Sequence, residues 1–255
     1  MNLKSVGSVL TATIGLIYAQ TGAPAAAPAF EVASIKSAAR PGMRVTESPG
    51  EVRYKGATIL FLLRKAYGAF EVQVSGPAWL QNDTGFDIDA KIPAAASKDR
   101  IHQIPLMLQT LLKERFKLEI HHDQKTMPMY ALVVGSKGAK MQAAGADDVR
   151  DQGCVSAYVP GGPNAYQCHI GMADLTRELQ EIMQEGVPVV DRTGLQGVYD
   201  FKLEWTGRVM LNMGRADGIG IHDAVQQQLG LKLEARKEPV DMIVIDHVEK
   251  VPTEN

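Results

Sequence analysis

The sequence predicts an α+β fold made of two internally repeated units, each with the order helix, strand, strand, helix, strand, strand. An additional strand is expected before the first unit. Segments with apolar residues three and four positions apart alternate with short runs of alternating apolar and polar residues. Similar segments also recur about 111 to 115 residues apart, as in Phe86-Asp87-Ile88 and Tyr199-Asp200-Phe201. We therefore expect an internal duplication.

The first half is predicted to span residues 30–136. The alternating segment from Phe30 to Lys36 indicates the preceding strand, and Glu51 to Lys55 indicates another. Thr58 is a suitable N-cap for a helix that ends at Gly68. The other elements expected in this half are a helix at 101–115 and strands at 70–74, 86–92, 116–120 and 129–134.

Residues 137–153 are predicted to connect the first half to the second, which spans 154–255. A helix at 172–184 carries its apolar residues on one face and stops at Gly186, and a second helix ends at Gly230. Lys237-Glu238-Pro239 is expected to turn the chain into the last strand, and Pro128 precedes the last strand of the first half in the same way. The strands of this half are predicted at 187–190, 198–205, 231–234 and 242–245.

The N-terminal residues have the layout of a secretory signal peptide, which we assign to residues 1–25. A charged start is followed by a short apolar centre and an exit of small residues, and 26–29 form an Ala/Pro tether. The protein is therefore expected to be periplasmic or secreted, and an uncleaved N-terminal anchor is the alternative. No later segment approaches spanning length, so no transmembrane domain is expected after signal removal.

The composition is that of an ordinary globular protein, with 45% hydrophobic and 22% charged residues. The net charge of −2 and the absence of a basic stripe make nucleic acid an improbable partner. A possible envelope protein or peptide remains the expected partner class.

The two cysteines of an exported protein are most simply read as one disulfide. Cys154 and Cys168 flank a segment rich in glycine and proline, so they can face each other across a hairpin. A redox pair would need the closer C-x-x-C spacing.

The motifs of common enzyme classes are absent from this sequence. There is no G-x-S-x-G, no G-x-x-x-x-G-K-[ST], no H-E-x-x-H and no C-x-x-C. We therefore predict no catalytic residue, no metal ligand and no cofactor.

Four polar residues are kept as candidates for a ligand or interaction site. His121 and His122 form the most metal-like cluster, but adjacent side chains on a strand point to opposite faces, so a solvated strand end is the simpler interpretation. Arg192 could bind a carboxylate or phosphate, whereas its position beside Asp191 favours a turn with an internal contact.

Two tryptophans complete the candidates. Trp79 and Trp205, together with Tyr67 and Tyr130, could form an aromatic contact surface. Aromatic residues mostly fill cores, and the core interpretation is therefore preferred.

Several motifs follow one another along the chain: FEVASIK, RKAYG, VSGPAWL, MLQTLLKERFKLEIH, MPMYALVV, PVVDRTGLQGVYDFKLEW and QQLGLKLEARKEPVDMIVIDHVEKVPTEN. In this order they resemble a family of exported proteins of unknown function that is greatly expanded in soil acidobacteria. The resemblance implies an extracytoplasmic location and brings no established catalytic residues. Some members are fused to a membrane-embedded sensor-type peptidase, whose zinc motif is absent here.

Each half is also similar to the short N-terminal domain of secretins and TonB-dependent transducers. The similarity lies in the order of a helix, VVD, GLQGVYDFKLEW, a helix ending in LGL and two strands. This resemblance implies binding to other proteins and the passing on of signals.

Two functions follow as hypotheses from different classes. The preferred one is a non-enzymatic interaction or sensory domain that presents strand edges, and a groove between the halves, to a protein, peptide or small ligand. The alternative is an extracytoplasmic hydrolase with its site in the cleft between the halves, built from His121, His122 or Asp191. The alternative requires these residues to cluster with another carboxylate.

Overall fold

The computed structural model describes residues 27–38, 42–82, 85–145, 148, 150, 152–156, 163–213 and 218–253. Within these ranges the chain is a mixture of helix and strand, as predicted, and forms three four-stranded sheets. The predicted signal peptide lies outside the described residues. None of the helices in the described ranges is long and apolar enough to cross a lipid bilayer.

The elements follow the chain in two series. The first series is β1 (Val32–Ser37), β2 (Arg44–Ser48), β3 (Glu51–Ala57), α1 (Ile59–Tyr67), β4 (Val74–Ser75), β5 (Phe86–Lys91), α2 (Arg100–Arg115) and β6 (Glu119–Val134). The second is β7 (Gln142–Ala143), β8 (Gly153–Ser156), β9 (Asn164–Gly171), α3 (Met172–Met183), β10 (Val189–Asp191), β11 (Val198–Trp205), α4 (Arg208–Asn212), α5 (Ile221–Ala224) and β12 (Leu231–His247). A π-helical segment, Val225–Leu229, continues α5.

The first sheet has the order β1-β5-β3-β2, with antiparallel neighbours throughout. Helices α1 and α2 pack against it around fully buried side chains such as Tyr54, Leu62, Leu108 and Phe116. Burial of this apolar surface is the main stabilising term for this part of the fold.

Another sheet has the order β7-β11-β9-β8 and is also antiparallel. Its core packs α3 and the helix that ends at Leu229 against residues such as Ile170 and Phe201. The order of this sheet equals that of the first when the strands are counted within each series. Strand β7 lies inside the segment that the sequence predicted to be a connection.

The remaining sheet, β10-β6-β12-β4, joins the two series. Its centre is a long antiparallel ribbon in which β6 and β12 pair from Leu231 opposite Val134 to His247 opposite Glu119. Each short strand pairs with the long strand of the other series. Strand β4 of the first series runs parallel to β12, and β10 of the second series runs parallel to β6. The two series therefore share one sheet.

The long strands correct the prediction of two separate strands in each half. Pro128 lies opposite Lys237, and Pro239 lies opposite Thr126, inside the ribbon rather than at turns. A proline is tolerated in a strand where its nitrogen faces away from the hydrogen-bonded partner. Each proline resembles a strand break in the local sequence, because its pairing partners lie far away along the chain.

Local signals fix both ends of α1. The Thr58 hydroxyl accepts a hydrogen bond from the Phe61 amide at 3.1 Å, and Gly68 closes α1 with a φ of 63°. Helix α3 instead ends at Gln184, which adopts a φ of 50° two residues before the predicted stop at Gly186. Strand β4 is shorter than predicted because the Gln73 side chain accepts a hydrogen bond from the Phe70 amide and closes a turn.

Candidate binding cleft

A cleft lies where α1 and α2 face α3, and it is our candidate functional site. It comprises a first cavity of about 390 Å³ and a second cavity of about 540 Å³. Both are lined by Ile101, Pro105, Asp174 and Arg177, so they adjoin. Cavities of this size are typical of small-ligand sites.

Helix α3 supplies the polar wall of the cleft. Asp174, Arg177 and Glu178 are three and four positions apart and therefore share one face of the helix. Leu175 and Leu179 on the other side are buried in the core. The amphipathic pattern that predicted this helix thus also determines which of its charges reach the cleft.

The first cavity is completed by the other helices and by two edge strands. Lys65 comes from α1, and Arg100 and Ile104 come from the start of α2. Glu47 lies on β2, and residues 152–155 belong to β8 and the residue before it. Both β2 and β8 are outermost strands of their sheets.

Most charges of the cleft are paired. Lys65 Nζ lies 3.4 Å from Glu47 Oε1, and the buried Tyr54 hydroxyl donates to the same oxygen at 3.1 Å. Asp174 accepts a hydrogen bond from Arg177 and lies 3.7 Å from His102 Nε2. Burial and the neighbouring Glu47 raise the pKa of Tyr54, which keeps its hydroxyl a donor.

Two charges of opposite sign have no such partner. Within the described residues, the side chains of Arg100 and Glu178 make no hydrogen bond and no ion pair, although both residues are only partly exposed. Burial raises the pKa of the Glu178 carboxyl, and the nearby Arg177 and Lys65 oppose this shift. The first cavity therefore offers one free cation and one free carboxylate to a ligand, as far as the described residues go.

Helices α1 and α3 are also joined at the edge of the cleft. Arg64 Nη2 donates to Glu181 at 2.8 Å, and its guanidinium lies 5.3 Å from the centroid of the Phe70 ring. This contact crosses from one half to the other and fixes the spacing of the helices that form the cleft walls.

A separate cavity of about 330 Å³ lies between the start of β1 and α2. Two of its charged groups are engaged, since Glu31 pairs with Lys91 at 3.3 Å and Arg115 Nε donates to the Thr253 carbonyl at 2.8 Å, while Glu114 is exposed. It therefore offers less to a polar ligand than the cleft does.

The predicted disulfide between Cys154 and Cys168 is present. The two residues are direct partners in the pairing of β8 with β9, as expected for a hairpin. Cys154 also lines the first cavity, so the bridge supports a wall of the candidate site.

His121 and His122 point away from each other and do not share a site. His121 Nδ1 lies 2.8 Å from Asp246, and His122 Nδ1 lies 2.7 Å from Asp241, both exposed pairs across the ribbon. About 33 Å of extended strand separates His122 from Leu132, which is the register partner of Asp191. The three residues of the hydrolase hypothesis therefore do not converge.

Asp191 and Arg192 form a local turn. Asp191 Oδ1 accepts hydrogen bonds from the Thr193 amide and hydroxyl at 2.8 and 2.7 Å. Arg192 Nε lies 3.4 Å from Glu238 rather than pairing with the Asp191 carboxylate. These contacts form a turn, as the sequence favours, but Arg192 contacts Glu238 instead of the Asp191 carboxylate.

The two tryptophans belong to different cores. Trp79 is partly buried against the first core and has Lys250 Nζ 5.3 Å from its ring centroid. Trp205 is buried in the second core, with its ring edge-on to Tyr166 at 5.1 Å. They form no common surface, although Tyr67 does line the second cavity.

A comparison with known protein families finds a match over residues 61–248 to "Protein of unknown function (DUF3738)". This match covers most of the chain. The chain belongs to the DUF3738 family. Neither the curated proteins nor the solved structures contain a significant match. The DUF3738 match includes α1, α2, α3 and β8, and thus all of the cleft except Glu47 on β2.

The DUF3738 region also contains a charged cluster that the sequence did not reveal. His169 Nδ1 lies 3.0 Å from Asp200, and its Nε2 lies 3.9 Å from Asp148. Arg150 Nη2 bonds to Asp148 at 2.6 Å and to Asp200 at 2.7 Å, and this pairing lowers the pKa of both carboxyls. Four residues from three separate segments meet here, and no spacing rule connects them.

Although Asp148, His169 and Asp200 place potential metal-ligand atoms within 4.8 Å of one another, the Arg150 guanidinium already neutralises the carboxylates. Arg150→Ala is therefore expected to create a Zn²⁺ site that the unaltered protein lacks. Isothermal titration with ZnCl₂ measures this, and Arg150→Lys, which keeps a cation, is the control. Zn²⁺ binding of equal strength in the unaltered protein would contradict the interpretation of an ion network.

Proposed function

We propose that this chain is a non-enzymatic binding domain and that the cleft formed by α1, α2, α3 and β8 is its ligand site. The observation that carries the proposal is the pair of partly buried charges, Arg100 and Glu178, whose side chains have no hydrogen bond or ion pair within the described part of the chain, in a cavity of about 390 Å³. A buried charge without a partner destabilises the folded state, so its presence is best explained by a ligand that completes it.

The proposed location is outside the cytoplasm. The signal-like N-terminal sequence and the Cys154–Cys168 disulfide support it, because such bonds persist in oxidising compartments. An envelope protein or peptide is the partner class that this location favours. The similarity of each half to secretin and TonB-associated domains, which bind proteins, supports the same class.

We further propose that the two halves arose by duplication. Support comes from the equal strand order of the two outer sheets and from the reciprocal exchange of β4 and β10. In this interpretation α1 corresponds to α3 and β2 to β8. The cleft would then lie between corresponding elements of the two copies.

Replacing Glu178 by glutamine is expected to increase stability at neutral pH while weakening ligand binding. The folded-state pKa of this carboxyl is raised, so the ionised form destabilises the fold as pH rises through that pKa. Glutamine removes this penalty, and the difference in melting temperature should vanish in acid, where the carboxyl is protonated in both states. Melting curves from pH 3 to pH 8, about the range that spans a carboxyl titration, measure this.

The effect of Glu178→Gln on ligand binding is measured by a thermal-shift screen of peptides, amino acids and small polar metabolites. Ligands that stabilise the unaltered protein should stabilise Glu178→Gln far less. Glu119→Gln is the control, because Glu119 is exposed and lines neither cavity. The proposal fails if no ligand stabilises the unaltered protein, or if both variants lose binding equally.

A further inference from the structure

The first cavity is bordered by the edge of a strand rather than by one of its faces. Gln152, Gly153, Cys154 and Val155 all line it, although alternate side chains of a strand point to opposite faces. Strand β8 is outermost in its sheet and pairs only with β9 among the described strands. Within the described residues, its outer backbone N–H and C=O groups are therefore open to a further strand.

The other walls fit side chains of such a strand. Three isoleucines line the cavity, of which Ile101 is partly exposed and Ile104 and Ile170 are largely buried. Arg100 lies at the start of α2 and Glu178 lies on α3, so the two opposite charges reach this cavity from different elements. An extended peptide places its first, third and fifth side chains on one face, where they can meet a charge, an apolar patch and the other charge.

We infer that the ligand is a short extended peptide that adds a strand to the outer edge of β8. A basic side chain of the peptide pairs with Glu178, an apolar side chain packs on the isoleucines, and an acidic group pairs with Arg100. This mode derives affinity from main-chain hydrogen bonds and selectivity from alternate side chains. It rests on the proposed function, since it specifies the ligand of the same cleft.

Four capped pentapeptides test the charge pattern: acetyl-Lys-Thr-Val-Thr-Glu-amide, its reverse Glu-Thr-Val-Thr-Lys, and the versions with Lys or Glu at both ends. The added strand can run parallel or antiparallel to β8. One of the two peptides with opposite charges at their ends should therefore bind about tenfold more tightly than either like-charged peptide. Titration calorimetry of the full chain measures this. Methylation of the backbone nitrogens of the better peptide should abolish binding, because it removes the donors of the added strand.

Paired variants test the two contacts separately. Glu178→Gln should remove the preference for lysine, and Arg100→Gln should remove the preference for glutamate, each by about tenfold. Lys98→Gln is the control for Arg100, since Lys98 is exposed and does not line the cavity. Circular dichroism and melting curves establish that each variant is folded.

Three results would overturn the peptide inference. They are no binding by any of the four peptides, binding that survives backbone methylation, and sedimentation showing that β8 pairs with a second copy of the chain. If free amino acids stabilise the protein in a Glu178-dependent way while all peptides fail, the cleft remains a binding site and only the peptide inference falls. If nothing binds, both proposals fail.

Discussion

Replacing Cys154 and Cys168 together by serine is expected to lower the free energy of unfolding by about 3 kcal/mol. The bridge closes a loop with a sequence separation of 14 residues, and loop-closure entropy gives about 3 kcal/mol for a loop of this length. Urea denaturation of the double variant against the oxidised protein measures the loss. Binding in the cleft should weaken as well, because β8 is only four residues long and loses its covalent attachment to β9.

Reduction of the unaltered protein with dithiothreitol is the matched experiment, since it opens the same loop without a substitution. Both treatments should give the same denaturation midpoint. A loss below about 1 kcal/mol in each would mean that the reduced chain already holds β8 in place.

Gly230→Ala is also expected to lower the free energy of unfolding by about 3 kcal/mol. Gly230 has a φ of 69°, which strains any residue with a Cβ by roughly 1 to 2 kcal/mol. An added Cβ would also overlap the Gly138 carbonyl oxygen and lie 3.1 Å from the Lys140 amide nitrogen. These are backbone atoms of the segment that leads to β7, so relief requires moving the chain itself.

Gly186→Ala separates the two causes. Gly186 has a similar φ of 68°, but no described atom lies within 4 Å of the position of its Cβ. The free energy of unfolding of Gly186→Ala should therefore fall only by the cost of backbone strain, about 1 kcal/mol. Chemical denaturation of Gly230→Ala and Gly186→Ala measures the two losses of stability. Equal losses would mean that the overlap with Gly138 is easily relieved.

Elements defined by local chemistry were predictable from the sequence. Thr58 and Gly68 bound α1 as expected, and the apolar residues of α3 face the core because their spacing matches the helical repeat. The cysteine pair followed from the predicted export signal and from hairpin geometry. In each case the responsible residues lie within one short segment.

Features made by distant segments were not predictable. Pro128 and Pro239 read as breaks until β6 and β12 are paired. Arg100 and Glu178 read as ordinary surface charges, because only tertiary packing brings α2 and α3 to one cavity. The Asp148, His169 and Asp200 cluster likewise needs three segments to meet. The polar face of α3 at 174, 177 and 178 was the one signal available for the cleft.

The exchanged strands constrain how a ligand can enter. Since β4 completes the sheet at β12 and β10 completes it at β6, the walls of the cleft are tied through a continuous ribbon. A jaw-like opening of two lobes about a hinge would break both parallel pairings. A ligand must therefore enter the cleft without separation of the two series, and a fragment ending after β6 would lack the strand on which β4 docks.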